Sequence, residues 1–243
     1  MNKLCRPALA DWFLTAAACS LALGPGLARA AEAAPRPVEA VPLVYPYDQA
    51  LAGTEGSATV KFNIDAGGFA REVTVADATQ PAFGLAAKAM VEAERFAPAV
   101  EDGKPAARPG VQVEVKFNRD SLDAGARAMI EEVKKPQPDF AKPRELDQMP
   151  PRLLKAVNPV FPQAMLNAGG KGGEAVVECI IDSQGRVQLP RIISATTEEC
   201  GWAAATALLR WEFAPPTKGG KPAAFRIRIP LEFVPPKAEA AGR

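Results

Sequence analysis

One motif occurs twice in this chain, 117 residues apart, and no other feature of the sequence restricts the possible folds as strongly. The first copy reads Gly56-Ser-Ala-Thr-Val-Lys-Phe-Asn-Ile-Asp65, and the second reads Gly173-Glu-Ala-Val-Val-Glu-Cys-Ile-Ile-Asp182. The same spacing joins Phe96-Ala-Pro98 to Phe213-Ala-Pro215, and Gly103-Lys-Pro105 to Gly220-Lys-Pro222. A spacing kept over so many local signals indicates a duplicated domain rather than short repeats that must stack to be stable.

The duplication divides the chain into two modules with a connection between them. We expect a spacer at 31–41, module one at 42–119, a connection at 120–151, module two at 152–236 and a tail at 237–243. Within the connection, apolar residues recur at helical spacing from Leu122 to Val133, and Lys134-Lys-Pro136 ends that pattern. The remaining part is rich in proline, which predicts an extended and fairly stiff segment.

The first 30 residues have the pattern of a signal peptide. Lys3 and Arg6 precede an apolar run that is too short to span a bilayer, and Ala28-Arg-Ala30 fits a cleavage site. We therefore expect an exported, periplasmic protein that begins at Ala31. The alternatives are an uncleaved segment that anchors the protein in the inner membrane, and a lipid attached to Cys19.

Composition argues against several classes of function. The chain has no histidine, which removes imidazole metal ligands and the histidine-dependent catalytic dyads. Its 29 basic and 28 acidic residues give no electrostatic case for nucleic acid. We find no nucleophile motif, so we predict no catalytic residues, no metal, no cofactor and no small-molecule substrate. Asp65 and Asp182 each begin a glycine-containing turn, where aspartate is favoured for its bonds to nearby backbone amides.

Within each module, the hydrophobic pattern predicts the order helix, strand, strand, helix, strand. The short first helices cover 46–52 and 162–168, and the longer alanine-rich helices cover 83–95 and 198–212. The last strand of module two alternates most clearly, with Phe225 and Ile227 on one side and Arg226 and Arg228 on the other. These patterns predict an α+β fold in which a three-stranded antiparallel sheet has one face covered by a helix.

The order of these motifs resembles the C-terminal domain of the TonB energy transducers. Module two carries Phe161-Pro162, Trp211-Glu-Phe213 and a final strand that ends at Phe233, as that family does. Module one fits through Tyr45-Pro46 and Phe117, but has Glu94 where the family has tryptophan. The chain thus resembles two tandem copies of the domain, without the family's long proline-rich span.

The resemblance implies a function in protein binding. In the family, the last strand pairs with an extended peptide of an outer-membrane transporter, a mode known as β-augmentation. It implies a docking strand here made of Phe225, Arg226, Ile227, Arg228 and Ile229, with module one the weaker or structural copy. Arg226 and Arg228 could equally be solvated charges that protect a sheet edge. Other envelope proteins are possible partners, as is a second copy of the chain through the sheet edges. The alternative functions are a membrane-anchored energy transducer and an envelope scaffold.

Two further predictions concern side chains of the core. Cys179 and Cys200 occupy the positions that Phe62 and Phe83 hold in module one, which suggests that the two side chains touch in both modules. Export then favours a disulfide between the cysteines. Two separate buried thiols are the alternative. We interpret five large side chains as core anchors, because large apolar residues are usually buried; they are Trp211, Phe213, Phe96, Phe117 and Phe233.

Overall fold

The computed structural model describes residues 36–236, so the expected signal peptide, the start of the spacer and the whole tail lie outside the described residues. Module one comprises β1 (Pro37–Glu39), α1 (Tyr47–Ala52), β2 (Gly56–Ile64), β3 (Ala70–Ala78), α2 (Pro81–Ala93), β4 (Arg95–Phe96), β5 (Ala99–Glu101), β6 (Lys104–Ala106) and β7 (Arg108–Phe117). The connection contains α3 (Ala124–Val133) between two short 3-10 turns, Arg119–Ser121 and Pro143–Glu145. Module two comprises β8 (Leu153–Lys155), α4 (Gln163–Asn167), β9 (Gly173–Ile181), β10 (Val187–Ala195), α5 (Glu198–Leu208), β11 (Glu212–Phe213), β12 (Thr217–Lys218), β13 (Lys221–Pro222) and β14 (Phe225–Phe233).

Each module is built around a three-stranded antiparallel sheet, as predicted. The strand orders are β3-β2-β7 and β10-β9-β14, so the duplicated motif forms the central strand of each sheet. Gly56 pairs with Phe117 in one sheet and Gly173 with Phe233 in the other. In each sheet one face is covered by the longer helix, α2 or α5. The predicted α+β class, with two copies of one module, is therefore confirmed.

The turn after each central strand is stabilised by its aspartate. One carboxylate oxygen of Asp65 accepts hydrogen bonds from the backbone N–H groups of Gly67 and Phe69, both at 2.9 Å. Asp182 binds Gln184 and Arg186 in the same way, at 2.9 and 3.0 Å. These bonds satisfy backbone donors that the tight turn leaves without partners, which is the role predicted for both side chains.

The longer helices end earlier than predicted. We expected α2 to reach residue 95 and α5 to reach residue 212, but they end at Ala93 and Leu208. The reason is a strand pairing between distant segments: Arg95–Phe96 pairs with β1, and Glu212–Phe213 pairs with β8. Strands β1 and β8 were not predicted, because three residues are too few to show a period.

The two modules pack against each other through equivalent elements. Helix α2 contacts α5, while α1 contacts β10 and α4 contacts β3. The Arg191 guanidinium lies 5.3 Å from the centre of the Tyr47 ring, and the Glu72 backbone N–H donates to Gln163 Oε1 at 3.4 Å. Reciprocal contacts of this kind are those of a twofold-symmetric dimer, here made within one chain.

The second strand of each sheet has an irregularity at this interface. Glu72 in β3 and Leu189 in β10 occupy equivalent positions and have φ angles of 54° and 47°. The strand pairing shifts register beside both residues, as at a β-bulge. A positive φ is costly for a residue with a side chain, so its presence in both copies indicates that the bulge belongs to the module.

The connection packs on both modules instead of running free. Asp123 caps α3 by accepting a hydrogen bond from the Ala126 N–H at 2.6 Å. Ala126 and Ile130 are buried in the core of module one, together with Ile180 and Leu189 from the sheet of module two. Helix α3 is therefore part of a core that both modules share.

Candidate protein-docking site

Strand β14 lies at an edge of the sheet of module two. It pairs with β9 over nine residues, from Phe225 opposite Ile181 to Phe233 opposite Gly173. The side chains of Phe225, Ile229, Leu231 and Phe233 are buried on the helix-covered face. Ile227 is partly buried and packs against the same core. The three apolar side chains of the predicted docking strand are therefore committed to the core. What can face a partner is the backbone edge of the strand and the side chains of Arg226 and Arg228.

The backbone groups on the outer edge of β14 belong to its even-numbered residues. The carbonyl of Ala224 accepts a hydrogen bond from the Ala141 N–H at 2.8 Å, on the side away from β9. Since successive residues of a strand point their N–H and C=O groups to opposite sides, Arg226, Arg228, Pro230 and Glu232 also face outward. Pro230 has no N–H, and an outward edge position is where a strand tolerates proline.

Both arginine side chains already have contacts. Arg228 Nε lies 3.0 Å from Glu178 Oε2, and its side chain is 64% exposed. Exposed pairs of this kind contribute at most about 1 kcal/mol, so a partner could replace this one. The Arg226 guanidinium lies 4.9 Å from the centre of the Phe140 ring, which belongs to the connection.

The start of the predicted docking strand is paired with the connection. Ala141 forms a parallel bridge with Phe225, in addition to its hydrogen bond with Ala224. The prediction treated β14 as an open edge, which is not correct at Phe225. No other segment of residues 36–236 pairs with the outer edge of β14, so the open part begins after this bridge.

The equivalent strand of module one is less covered. Strand β7 pairs with β2, and no second strand within residues 36–236 pairs with its outer edge. At its end, the Lys116 carbonyl accepts a hydrogen bond from Ser121 Oγ at 2.7 Å. Gln112, Glu114 and Lys116 are exposed along it. Exposure of the backbone edge therefore gives no reason to expect docking at module two rather than at module one.

The tryptophan that distinguishes the modules has a structural contact. Trp211 is partly buried, and its Nε1–H donates to the Val157 carbonyl at 2.8 Å. Glu94 takes its place in module one, where burial raises the pKa of the carboxyl although the Val41 backbone N–H donates to it. The other predicted core anchors are at most 5% exposed; they are Phe213, Phe96, Phe117 and Phe233.

The predicted disulfide is absent, because the two cysteines lie in different parts of the core. Both are free and buried, and Cys200 Sγ lies 2.9 Å from Met165 Sδ. A Cβ added at Gly173 would be 3.1 Å from Cys200 Sγ, whereas Cys179 is six residues further along β9, or about 20 Å away. A disulfide requires Cα atoms within about 7 Å, so the alternative of two separate thiols describes the structure.

The aromatic contacts of module one explain this error. We assumed that Phe62 and Phe83 touch, but Phe62 contacts Phe96 at 5.1 Å between ring centres. Phe83 instead stacks on Phe117 at 4.4 Å. Two residues can lie in the same core without touching each other. The equivalence of the cysteine and phenylalanine positions in the sequence does not show whether the side chains at those positions are in contact.

A cleft that the sequence did not reveal lies beside module two. Its volume is about 630 Å³, and Trp211, Arg210, Gln188 and Leu154 are among the residues lining it. Its walls come from β8, the turns after β9 and α5, strand β10, the start of α3 and the segment 39–45 of module one. No local pattern could predict it, because it exists only where these distant segments meet.

The described part of the chain has neither a metal site nor a membrane-spanning helix. Residues 36–236 contain no group of three or more cysteine, aspartate or glutamate side chains placed to hold a metal ion. Within the same residues, no helix has the length and apolar character required to cross a bilayer.

The fold is that of a small α+β module that is present twice. Residues 41–119 and 157–235 both match the model of the family described as the Gram-negative bacterial TonB protein C-terminal. These two stretches cover more than half of the chain, which therefore belongs to the TonB C-terminal family. This confirms the resemblance noted in the sequence.

Two solved structures illustrate the similarity. The TonB C-terminal domain of Pseudomonas aeruginosa, solved by NMR in solution, is 24% identical; the match covers 36% of this chain and 88% of that one, with a TM-score of 0.31. The TonB2 protein from Vibrio anguillarum is 29% identical over 44% of this chain and 97% of that one, with a TM-score of 0.30. No curated protein matches the chain.

Proposed function

We propose that this chain is a periplasmic, non-enzymatic docking protein that binds extended peptides of outer-membrane transporters or other envelope proteins. The peptide adds a strand to the outer edge of β14, along residues 225–229, and so links the protein to transport across the envelope. Family membership supports a function in envelope transport, since TonB C-terminal domains are interaction modules. The observation that carries the proposal is that β14 pairs with β9 on one side only beyond the bridge at Phe225, so that backbone groups of its even-numbered residues are directed outward.

The edge supplies few donors, and this limits the register of a bound peptide. Arg226 and Arg228 can offer N–H groups, whereas Pro230 cannot. Main-chain bonds give such a complex its affinity, and pockets for alternate side chains give it selectivity. Removing the N–H of Arg228 should therefore interrupt the added strand at its centre.

The docking edge can be tested by replacing Arg228 with proline. The probes are synthetic peptides that carry the TonB box, the short extended transporter segment with which the family's last strand pairs. We expect Arg228→Pro to weaken their binding at least tenfold, measured by fluorescence polarisation, because it removes an outward N–H. Arg228→Ala is the matched control, since it loses the same side chain and ion pair with Glu178 but keeps the N–H. Equal affinities of the two variants would show that this edge is not the docking site.

The same pair of changes tests module one. Gln112 is the counterpart of Arg228, because the two sheets differ by one residue in the register of the last strand. We expect Gln112→Pro and Gln112→Ala to bind the peptides alike. A loss of binding that is specific to Gln112→Pro would assign docking to module one.

The N-terminus distinguishes the soluble docking protein from a membrane-anchored transducer. We expect the intact mass of the exported protein to correspond to a chain that begins at Ala31, without a lipid. A mass that includes residues 1–30 would favour the anchored transducer, and a diacylglycerol on Cys19 would indicate a lipoprotein. An envelope scaffold would share the mature mass but would bind no transporter peptide.

A further inference from the structure

Residues 139–147 of the connection, here called the strap, lie along module two and cover the start of β14. Ala141 is 8% exposed, donates its N–H to the Ala224 carbonyl at 2.8 Å and bridges Phe225. Beside it, the Phe140 ring contacts the Arg226 guanidinium. The strap therefore already binds the Ala224 carbonyl, which is the first outward-facing backbone group at this edge, and it contacts the Arg226 side chain.

The strap is also fixed at its other end, to the turn between β12 and β13. The Asp147 carboxylate accepts hydrogen bonds from the Gly219 and Gly220 N–H groups, at 2.8 and 2.9 Å. These bonds lower the pKa of Asp147. The Asp147 N–H donates to the Thr217 carbonyl at 2.9 Å, and Glu145 pairs with Lys218 at 2.8 Å. The segment is thus held at both ends, and its first end pairs with the docking strand.

The polar contacts at the docking strand are few. One backbone hydrogen bond and one cation–π contact join Ala141 and Phe140 to β14, and the small Ala141 side chain is buried in the core that contains Phe225. A competing strand could replace these contacts, because it would offer the same backbone groups over a longer stretch. The Asp147 anchor would keep the displaced strap close to the edge, ready to return.

We propose that the strap is an internal competitor that regulates docking at β14: a peptide must displace Phe140 and Ala141 before it can pair with the start of the strand. This inference rests on the proposed function. The measured affinity for a peptide is the intrinsic affinity reduced by the fraction of molecules in which the edge is open. Weakening the strap raises that fraction and hence the affinity.

The competition can be measured with the strap sequence itself as the probe. A fluorescein-labelled synthetic peptide of residues 136–147 is titrated with the full chain. We expect Ala141→Pro, which lacks the N–H that bonds to Ala224, to bind this peptide about tenfold more tightly than the unmodified protein does. Asp147→Ala should show an increase in the same direction without altering any residue at the edge. Arg144→Gln is the control, because Arg144 is an exposed residue of the same strap.

Affinities that are equal across Ala141→Pro, Asp147→Ala and the unmodified protein, with circular dichroism showing all three folded, would overturn the inference. Transporter peptides are titrated with the same variants, which separates this result from the proposed function. If they bind all variants equally well, docking stands and regulation by the strap is wrong. If the strap peptide responds as expected but no transporter peptide binds, competition at the edge stands and the proposed function is wrong.

Discussion

Replacing Glu92 with glutamine is expected to raise the free energy of unfolding by about 2–3 kcal/mol at pH 8 and to leave it nearly unchanged at pH 4.5. Glu92 lies at the end of α2, where α2 meets module two, and its Oε1 is buried without a hydrogen-bond partner. Burial raises its pKa to about 7, against the partly opposing effect of Lys88. Glu199 on α5 raises the pKa further, and the Gln163 backbone N–H lowers it.

The direction of this pH dependence follows from proton binding. Between pH 4.5 and about 7 the folded chain keeps the Glu92 proton while the unfolded chain releases it, so rising pH favours unfolding. Below this pH range Glu92 is protonated in both states, and it does not destabilise the fold. Above this range the carboxylate is charged in both states, and its burial lowers the free energy of unfolding by the full amount. Glutamine carries no charge at any pH, which removes this contribution.

Urea unfolding of both proteins at pH 4.5, 6 and 8 measures the difference directly. Glu101→Gln, at an exposed position of β5, is the control for loss of one negative charge. A difference between Glu92→Gln and the unmodified protein that is the same at pH 4.5 and pH 8 would contradict the assignment of the buried charge.

The second large effect is expected at Gly185. Replacing it with alanine should lower the free energy of unfolding by more than about 3 kcal/mol, or prevent module two from folding. Gly185 has a φ of 82°, and a Cβ there would lie 1.9 Å from the Phe213 carbonyl oxygen. The Phe213 N–H donates to the Gly185 carbonyl at 2.8 Å, so the two backbones cannot separate without losing that bond.

Gly170→Ala is the matched control in the same module. Gly170 has a φ of 63°, but no heavy atom lies within 4 Å of the position of an added Cβ. The free energy of unfolding of Gly170→Ala should fall by only about 1 kcal/mol, which is the cost of a left-handed conformation for a residue with a side chain. Thermal and urea unfolding would measure both changes, and similar losses would show that the Phe213 carbonyl is not a steric limit.

The local signals of the sequence predicted the two sheets well. The alternation around Val60 and Val177 determines which faces of the central strands are buried, and Asp65 and Asp182 fix the turns. Strands β7 and β14 differ by one residue in their pairing register with the central strands, but both still show the alternation of buried and exposed residues. Such features depend on residues that are near in the sequence, which is why they could be predicted.

The candidate site was only partly predictable, because it depends on contacts between distant segments. The position of β14 at the edge followed from the family pattern, but Ala141 lies more than eighty residues before Phe225 and carries no signal for pairing. The cysteines were misassigned for the same reason, since a shared core does not specify contacts. Glu92 has no local signal either: its environment exists only because α2 meets α4 and α5.

The reciprocal packing of α2 with α5, α1 with β10 and α4 with β3 has a consequence for how far the two halves of the protein can differ. In a dimer of identical subunits every substitution appears on both sides of the interface, so the two sides cannot change separately. Joining both halves in one chain removes that constraint. Tryptophan can then stand at position 211 while glutamate occupies position 94, and within residues 36–236 only module two is covered by a strap. Two copies of a module within one chain can therefore differ at positions where two identical subunits cannot.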